Sequence, residues 1–495
     1  MFRYNFRHQI TKPFLTFLLG ALCPTATSYA QDYYFWRHPG TFESFPSPAA
    51  SCSSNYPSPF ASFSHVQFIS DTYAICWYHD LRDIGRLLTE RKTYRYGSGC
   101  KQEKVYNPTK GTCSNDQFKG PQPASNPAAC AINKIELNIV TGNKFSTETD
   151  IPPTASTLEF SRSFNSDDGN WQHNYSAHLR FIPDQYTTVI TKTGKEILFT
   201  KNNGIWNSPQ DEQVSLAKLD DAWSYRSHDG EHLLFNDSGR LIRQETPNST
   251  ITMTYLADLI EVRDLSGTSL TIKEDSARQP IEVIQAGTRL TFQYDKSNRI
   301  IGVTRTVGGD TKKREYLYED IKNPSLLTGI TDERGIRYAT WAYDDQGRAI
   351  SSEHAGGAER TLVSYNADGS STVTNALGKR TTYRFQTIQG IRRIIAIEGE
   401  PSANCPNSNS TFTYDDRGLV KTRTDNKGNV TRFDYNERGL EVSRTEAYGT
   451  PQARTVVTEW HPTLFLPVTI TEPDRTTSYN YDEQGRELSQ QISTN

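Results

Sequence analysis

Two histidines and two neighbouring acids are the first residues whose types could do chemistry. His173 and His178 lie five positions apart and follow Asp167 and Asp168. Imidazole and carboxylate groups bind metal ions, but a metal site also needs a third ligand in suitable geometry. From spacing alone, the pair is therefore either part of a metal site or a pair of packed structural histidines.

Adjacent carboxylates form a second candidate. Asp344-Asp345 and Asp415-Asp416 could serve as paired acid and base groups, as in glycoside hydrolysis. Both pairs occupy recurring turn positions, however, and the same chemistry at every turn is implausible. The aspartate-rich turns also lack the spaced ligand loop, ending in Glu, of a calcium site. Because the sequence has no nucleophile elbow, phosphate loop or dinucleotide fingerprint, we predict no catalytic residue, no cofactor and no metal, and hence not an enzyme.

Cysteine chemistry points to export. One of the seven cysteines, Cys23, lies in the N-terminal apolar stretch. Six cysteines remain after removal of that stretch, and an even number of cysteines predicts disulfides in an oxidising compartment. Metal binding would require closer spacing. The connectivity stays open, although Cys405 must pair with the N-terminal region if all are bonded. The disulfide candidates are Cys52, Cys76, Cys100, Cys113, Cys130 and Cys405.

The N-terminus is typical of a secretory signal peptide. Arg3, Arg7 and Lys12 precede a short apolar run that is followed by small residues at Ser28 and Ala30. The run is too short for a membrane helix, so we predict cleavage after Ala30 and a secreted, periplasmic or cell-surface protein that is not integral to the membrane. A retained anchor and a lipoprotein at Cys23 are weaker alternatives, the latter because bulky Leu22 precedes the cysteine.

The composition favours an extended β protein. The 495 residues are 35% hydrophobic, 11% aromatic and 22% charged, with a formal net charge of −3, and include 26 Tyr and 32 Gly but only 2 Met. Abundant aromatics argue against disorder, and scarce aliphatic residues argue against a conventional helical enzyme. The charge balance gives no basic surface for nucleic acid.

The chain divides into four regions by composition. The signal peptide spans 1–30. A Cys- and aromatic-rich region, 31–131, is partly irregular with one short amphipathic helix built on Leu81, Ile84, Leu87 and Leu88. A β segment spans 132–225, and an array of β-hairpins spans 226–495. We expect Thr306–Asp310, with Gly308 and Gly309 at its centre, to be a hairpin tip.

The array is an internal repeat with one recurring turn. A strand ends in Tyr or Phe, Asp or Asn follows, and Gly (Asn298 in one copy) comes three residues after that, often followed by Arg or Leu. The copies are Phe235–Arg240, Tyr294–Arg299, Tyr343–Arg348, Tyr365–Gly369, Tyr414–Leu419, Tyr435–Leu440 and Tyr481–Arg486. A second turn precedes several of them, at Thr331–Gly335, Thr424–Gly428 and Thr471–Asp474.

Each residue type in the repeat has a physical reason. A tyrosine ring covers apolar surface while its hydroxyl finds a polar partner. Asp bonds to its own backbone, and Gly supplies the positive φ that closes the turn. Each unit is about one hairpin, which is marginal alone, so neighbouring units must stack. The structural positions are Tyr294, Asp295, Tyr343, Asp344, Gly347, Arg348, Tyr414, Asp415, Gly418, Tyr435, Gly439, Tyr481, Asp482, Gly485 and Arg486.

With these turns, the sequence resembles the Rhs/YD-repeat proteins of bacteria. Phe412–Leu419, Gly428–Tyr435 and Tyr479–Arg486 resemble the family's repeat unit, and Asn138–Lys144, Leu158–Asn165 and Trp171–Tyr175 resemble the segment that often precedes the repeats. The resemblance covers roughly 132–495. In this context, the Trp-x-His-x-Tyr pattern favours a packed structural role for His173.

The resemblance implies a spiral β-sheet wound into a hollow shell, as in polymorphic secreted toxins, toxin-complex components and teneurins. In the toxins, the shell encloses an effector behind a self-cleaving core motif. This sequence ends nine residues after Arg486 without either, so we expect a partial, open shell.

Two functions follow. The first is a non-catalytic secreted scaffold of a polymorphic-toxin or intercellular-competition system, whose partner is a separately encoded core or effector protein. The alternative is a cell-surface binding or adhesion module that contacts glycans or proteins through exposed aromatic residues.

Overall fold

The computed structural model describes most of the chain as β-strands. It describes residues 33–54, 56–57, 60–83, 86–100, 104–115, 118–120, 136–153, 157–399, 409–482 and 484–494. The predicted signal peptide, Cys130 and Cys405 lie outside these residues. Over the described part, no helix is long and apolar enough to cross a membrane.

The N-terminal region is a small four-stranded antiparallel sheet with one helix, α1 (Pro48–Ser54). Its strands, in the spatial order β1-β4-β3-β2, are β1 (Phe35–Arg37), β2 (Ala61–Ser70), β3 (Tyr73–Asp80) and β4 (Leu87–Tyr96). Two disulfides lie here, joining Cys52 to Cys76 and Cys100 to Cys113. The first ties α1 to β3, and the second joins the segment before β5 (Val105–Asn107) to β6 (Thr112–Ser114), which pairs with β5 in a hairpin. The expected disulfide-containing N-terminal region is therefore confirmed.

The amphipathic helix predicted over Leu81–Leu88 is wrong. Leu87 and Leu88 begin strand β4, and Leu88 pairs with Tyr78 of β3. Leu87 is exposed whereas Leu88 packs against the Cys52–Cys76 cluster, as the two-residue period of a strand requires. Ile84 lies outside the described residues. Pairing with β3 outweighs a short helical pattern that Gly85 already weakens.

The helix α1 instead lies near the start of the region 31–131, in a segment rich in Ser and Pro for which we predicted no helix. Ser47 precedes it, and the Ser47 hydroxyl accepts a hydrogen bond from the backbone N–H of Ala50 at 3.1 Å. Pro48 occupies the first helical position, where its missing N–H carries no penalty. The Ser-Pro pair is thus the sequence signal for this helix.

Two small sheets precede the large one. The first consists of β7 (Phe145–Ile151), β8 (Phe160–Asn165) and β9 (Asn170–His173). The second consists of β10 (His178–Ile182), β11 (Tyr186–Ile190), β12 (Glu196–Asn202) and β13 (Ile205–Asn207).

A single antiparallel sheet of 26 strands forms the rest of the protein, and its strands follow one another in chain order. It begins at Val214, ahead of the predicted boundary at 226, because its first hairpin has the strand pattern but no tyrosine turn. The strands are β14 (Val214–Lys218), β15 (Ala222–Ser227), β16 (His232–Asn236), β17 (Leu241–Thr246), β18 (Ser249–Leu256), β19 (Leu259–Asp264), β20 (Ser269–Glu274), β21 (Pro280–Gln285), β22 (Thr288–Tyr294), β23 (Ile300–Val307), β24 (Asp310–Leu317), β25 (Gly329–Thr331), β26 (Arg337–Tyr343), β27 (Ala349–His354), β28 (Ala358–Tyr365), β29 (Ser371–Thr374), β30 (Arg380–Ile388), β31 (Ile391–Gly399), β32 (Ser410–Tyr414), β33 (Val420–Thr424), β34 (Val430–Tyr435), β35 (Glu441–Glu446), β36 (Arg454–Trp460), β37 (Pro467–Thr471), β38 (Arg475–Tyr481) and β39 (Glu487–Thr494).

This architecture confirms the predicted all-β hairpin array. The hairpin tip at Gly308-Gly309 joins β23 to β24 as expected. Alternate residues of the strands point to a buried inner face; Val262, Ile272 and Val283 are completely buried there. The core is thus a thin layer along the sheet.

Candidate functional site

The repeated turns all lie on one edge of the 26-stranded sheet. Because consecutive strands run in opposite directions, the connections between them alternate between the two edges of the sheet at which the strands end. Every turn with the Tyr-Asp pattern follows an even-numbered strand, from β16 to β38, so we call this edge the turn edge. The second type of turn, around Asp332, Asp425 and Glu472, lies on the opposite edge. The repeat therefore builds one long polar rim.

The aspartate of each turn is fully engaged by its own turn. In the turn after β22, Asp295 Oδ1 accepts the backbone N–H of Ser297 at 2.8 Å and of Arg299 at 3.0 Å, while Oδ2 accepts Arg299 Nε at 2.6 Å. Asp344 and Asp482 repeat the arrangement with Arg348 and Arg486. These carboxylates close their turns.

The hydrogen bonds also favour the charged carboxylate. The backbone N–H and the guanidinium of Arg486 hold the pKa of Asp482 below its ordinary value, against the opposing effect of desolvation. The charged form is therefore the one that the turn requires.

The tyrosine of each turn ties it to the neighbouring strand. Its hydroxyl donates to a main-chain carbonyl, usually that of the first residue of the preceding strand. The pairs are Tyr255 to Leu241 (2.7 Å), Tyr294 to Pro280 (2.7 Å), Tyr343 to Leu327 (2.7 Å), Tyr365 to Ala349 (2.8 Å), Tyr414 to Ile394 (2.6 Å), Tyr435 to Val420 (2.8 Å) and Tyr481 to Pro467 (2.9 Å). Burial raises the pKa of Tyr414 to about 12, so the hydroxyl keeps the proton that it donates.

The Tyr-Asp-x-x-Gly pattern in the sequence did not identify two members of this series. Tyr255 ends a copy without the glycine, and Trp460 takes the tyrosine's place at the end of β36, where its Nε1–H donates to the Glu441 carbonyl at 2.8 Å. An aromatic residue with a polar tip at a strand end was the available signal.

Arginines connect one turn to the next. The Arg348 guanidinium lies 4.0 Å from the centre of the Tyr365 ring, and Arg240 lies 4.4 Å from that of Tyr255. Each of these arginines follows the glycine of its own turn and covers the aromatic residue of the next. Cation–π contacts of this kind add to the hydrogen bonds along the rim.

The large sheet winds back on itself. Gln213, just before β14, donates from Nε2 to the Gly439 carbonyl at 2.9 Å. Its neighbour Asp211 forms an ion pair with Arg393 of β31 at 2.8 Å. Contacts of the residues immediately before the first strand with β31 and with the turn after β34 require a curved, spiral sheet.

The preceding segment lies inside this curve. The Ile139 carbonyl accepts a hydrogen bond from Ser371 Oγ at 2.8 Å, and Arg162 donates to Tyr316 Oη at 2.6 Å. The Phe160 ring contacts Phe292 with centroids 6.0 Å apart. Residues 136–182 therefore fill part of the inner face, from β22 to β29.

Each of the two candidate metal-binding histidines is held by its own local contacts. His173 is 3% exposed, stacks on Phe160, and accepts the Tyr175 backbone N–H at Nδ1 (3.3 Å). His178 hydrogen-bonds to the Ser176 carbonyl at 2.9 Å. Within the described residues, no three His, Cys, Asp or Glu side chains are grouped to hold a metal ion. Asp345 and Asp416, the second members of the acid pairs, are exposed, and Asp345 pairs with Lys322.

A second surface of interest is one face of the N-terminal sheet. Its aromatic residues stack across strands: Tyr73 on Tyr94 at 4.9 Å and Phe35 on Tyr96 at 5.6 Å, with Tyr96 43% exposed. Trp77 lies on the same face, stacked on His65. Of these residues only Tyr96 and His65 are exposed; the others are partly buried, and the Arg37 guanidinium lies over Phe35 and Tyr96.

Two family models match parts of the chain. Residues 414–451 match the RHS repeat, and residues 136–199 match a domain of unknown function, DUF6531. The matched repeat contains the turns after β32 and β34. No functionally curated protein matches the sequence.

Two solved structures that contain TcdB2-TccC3 are similar to much of the chain. A structure of TcdB2-TccC3 without its hypervariable C-terminal region is 12% identical, with a TM-score of 0.31, and covers 69% of this chain and 20% of its own. TcdB2-TccC3-Cdc42 is 11% identical, with a TM-score of 0.30, and covers 86% and 25%. This chain thus spans a quarter or less of those structures.

Proposed function

We propose that this chain, an Rhs/YD-repeat protein, is a non-catalytic secreted scaffold that forms part of a shell in a polymorphic-toxin or intercellular-competition system. The observation that carries the proposal is the winding of the 26-stranded sheet, which brings Gln213 and Asp211 against Gly439 and Arg393. A sheet that curves in this way encloses a volume. Asp344 and Asp415, the candidate acid or base groups of the sequence, instead form hydrogen bonds within the turns of this sheet.

The proposed partner is a separately encoded core or effector protein. On β34 to β38, the inner face continues that of β32 but is only partly buried, and it carries Phe433, Trp460, Tyr479 and Tyr481. Phe433 and Trp460 continue the row in which Phe412 is buried. A partner that enters the shell would cover these side chains, which supports an interior binding surface.

Export is part of the proposal. The disulfides Cys52–Cys76 and Cys100–Cys113 are of the kind that persists outside the reducing cytosol. Together with the predicted signal peptide, they support a secreted, periplasmic or surface location.

A growth assay tests the scaffold role. Bacteria that express the full chain alone should grow like cells carrying an empty vector, and the purified chain should show no nuclease or hydrolase activity. Growth arrest by the chain alone would contradict the proposal.

Co-purification with the product of the adjacent reading frame tests the partner. The complex should form with the unaltered chain and with Asp434→Ser on the outer face, and should weaken at least tenfold with Phe433→Ser on the inner face. Equal capture by both variants, or no capture, would contradict an interior partner.

The partly exposed aromatic face of the N-terminal sheet supports a second candidate, a cell-surface binding module for glycans or proteins. Intact bacterial cells incubated with the purified chain should then bind it, and Trp77→Ala should reduce binding at least fivefold. Tyr448→Ala, an exposed aromatic at the far end of the chain, is the control. Failure of the cells to bind the chain would remove this candidate.

A further inference from the structure

A buried lysine between two acids ties the N-terminal region to the segment before the repeats. Lys119 lies between β6 and β7, and its side chain is 1% exposed. Its Nζ donates to Asp168 Oδ2 at 2.5 Å and lies 3.8 Å from Glu196 Oε1. Asp168 lies in the turn between β8 and β9, and Glu196 begins β12. The three residues lie apart from the contacts that wind the large sheet, and the proposed function does not involve them.

The backbone on both sides of the lysine is fixed by hydrogen bonds. The Gly120 N–H donates to Asn165 Oδ1 at 2.9 Å, and Asn138 Nδ2 donates to the Phe118 carbonyl at 3.1 Å. The lysine nitrogen therefore meets the aspartate in one defined position. Holding two reacting groups in contact removes most of the entropic cost of bringing them together.

The two oxygens of Asp168 have different partners. Oδ2 faces the Lys119 Nζ, whereas Oδ1 accepts the backbone N–H of Asn170 at 3.1 Å. A backbone N–H at this place stabilises the negative charge that develops on an oxygen when a nucleophile adds to its carbon. The arrangement suits attack of the lysine nitrogen on Cγ, with Oδ2 as the leaving oxygen.

Glu196 is placed to move protons. Its side chain is 6% exposed, and its Oε2 accepts hydrogen bonds from Asn107 Nδ2 at 2.8 Å and from Arg180. Its Oε1 is thereby directed toward Lys119. Small rotations of the flexible lysine side chain bring the nitrogen within hydrogen-bond range, where a carboxylate acts as a general base and then as a general acid.

We propose that Lys119 and Asp168 condense into an isopeptide bond, with Glu196 as the proton carrier. One proton passes from the Lys119 ammonium to Oδ2 along their hydrogen bond, and the neutral amine attacks Cγ. The Nζ–Cγ bond forms and the Cγ–Oδ2 bond breaks. Glu196 takes a second proton from the nitrogen and delivers it to the leaving oxygen, so that one water departs. Each chain reacts once, without an oxidant or other co-reactant.

Burial favours the product. An ion pair removed from water carries a desolvation penalty, which a neutral amide avoids. Asp168 is 26% exposed, so the released water has a way out. Lys144 is the internal comparison: it is also buried, but its partner Glu136 is 48% exposed, and no second carboxylate of the described residues lies within 3.8 Å of its nitrogen. We expect no bond there.

Mass spectrometry of the purified full chain, after reduction of its disulfides, tests the bond. More than half of the molecules should be lighter than their sequence by one water. Tryptic digestion should release one pair of peptides joined through Lys119 and Asp168. A cyclic imide at Asp168-Gly169 would also lose one water, but within a single peptide, and the digest distinguishes the two.

Variants assign the roles. Lys119→Arg keeps the positive charge but should give the full mass and no joined peptides. Lys110→Arg changes the other lysine beside Glu196, 3.7 Å from its Oε1, and should leave the bond intact. Glu196→Gln should lower the joined fraction at least fivefold. The full mass in the unaltered chain, a water lost within one peptide, or equal joining in Glu196→Gln would overturn the proposal.

Discussion

Each residue of the repeated turn contributes one identifiable interaction. Asp344 closes the turn through the backbone N–H groups of Gln346 and Arg348, and Gly347 supplies a φ of +77°. Tyr343 then reaches the neighbouring strand. The Asp344 and Gly347 interactions depend on offsets of at most four residues, so the sequence was sufficient to predict them. The Tyr343 hydroxyl, in contrast, reaches Leu327, 16 residues away, and only its need for a polar partner was predictable. The two buried histidines were harder, since their surroundings come from distant strands.

Replacement of Gly347 tests the turn geometry. Gly347→Val should lower the free energy of unfolding by about 1–3 kcal/mol, because a β-branched residue rarely adopts positive φ. Gly347→Asn should cost less, because asparagine tolerates this conformation. The measurement is urea unfolding, and equal stability of the valine variant would show that the turn geometry is misassigned.

Removal of one tyrosine hydroxyl tests the link between turns. Tyr435→Phe loses the hydrogen bond to the Val420 carbonyl and should lower the free energy of unfolding of the protein by about 0.5–1.5 kcal/mol. Tyr448→Phe is the control: its side chain is 45% exposed, its hydroxyl only accepts a long hydrogen bond from Arg432 at 3.3 Å, and loss of that hydroxyl should change stability little. An equal effect of the two substitutions would deny the hydroxyl a structural role.

Acid should destabilise the protein through its buried histidines. Burial, assisted by the Arg162 cation, lowers the pKa of His173 from 6.5 to about 3, and burial lowers that of His178 to about 4. Between these values and 6.5 the unfolded chain binds more protons than the folded chain, so stability is full above pH 6.5 and falls as the pH drops. Urea unfolding from pH 7.5 to 4.5 should show this fall.

The pH dependence should be specific to the buried rings. His178→Gln should flatten it, whereas replacement of the exposed His228 by Gln should not. An unchanged slope in His178→Gln would contradict the assignment.

At the scale of elements, the sequence predicted the hairpins of the repeat array correctly, but it did not distinguish helix from strand in the N-terminal region. The repeat combines a local turn with a two-residue strand period, so both signals agree. Leu81–Leu88 carried a short helical period, but pairing of β4 with β3 determined its structure. Trp460 was missed because its role appears only once the strand ends are aligned in space.

The disulfide between α1 and β3 should stabilise the N-terminal four-stranded sheet and leave the 26-stranded sheet unaffected. Cys52→Ala with Cys76→Ala should lower the stability of the four-stranded sheet by about 2–4 kcal/mol. Hydrogen exchange should therefore quicken in β2 to β4 and stay unchanged in β20 to β30, because distant parts of a repeat array unfold independently. Faster exchange throughout the large sheet would contradict this independence.

For the whole molecule, the curvature could not be derived from the repeats alone. Consecutive hairpins are compatible with a flat ribbon or with a spiral, and twist alone does not fix the radius. The contacts that distinguish the two, such as Asp211 with Arg393, join residues far apart in sequence. The resemblance to the Rhs/YD repeats implied the spiral, and the structure supplies the contacts that form it.

Small-angle X-ray scattering of the purified full chain tests the wound shell most directly. A flat sheet of 26 strands would extend for about 120 Å at a strand spacing of ~4.8 Å. The wound sheet predicts a maximum dimension clearly below that length and a distance distribution with one compact peak. A maximum dimension of about 120 Å or more, with the extended profile of a ribbon, would contradict the shell.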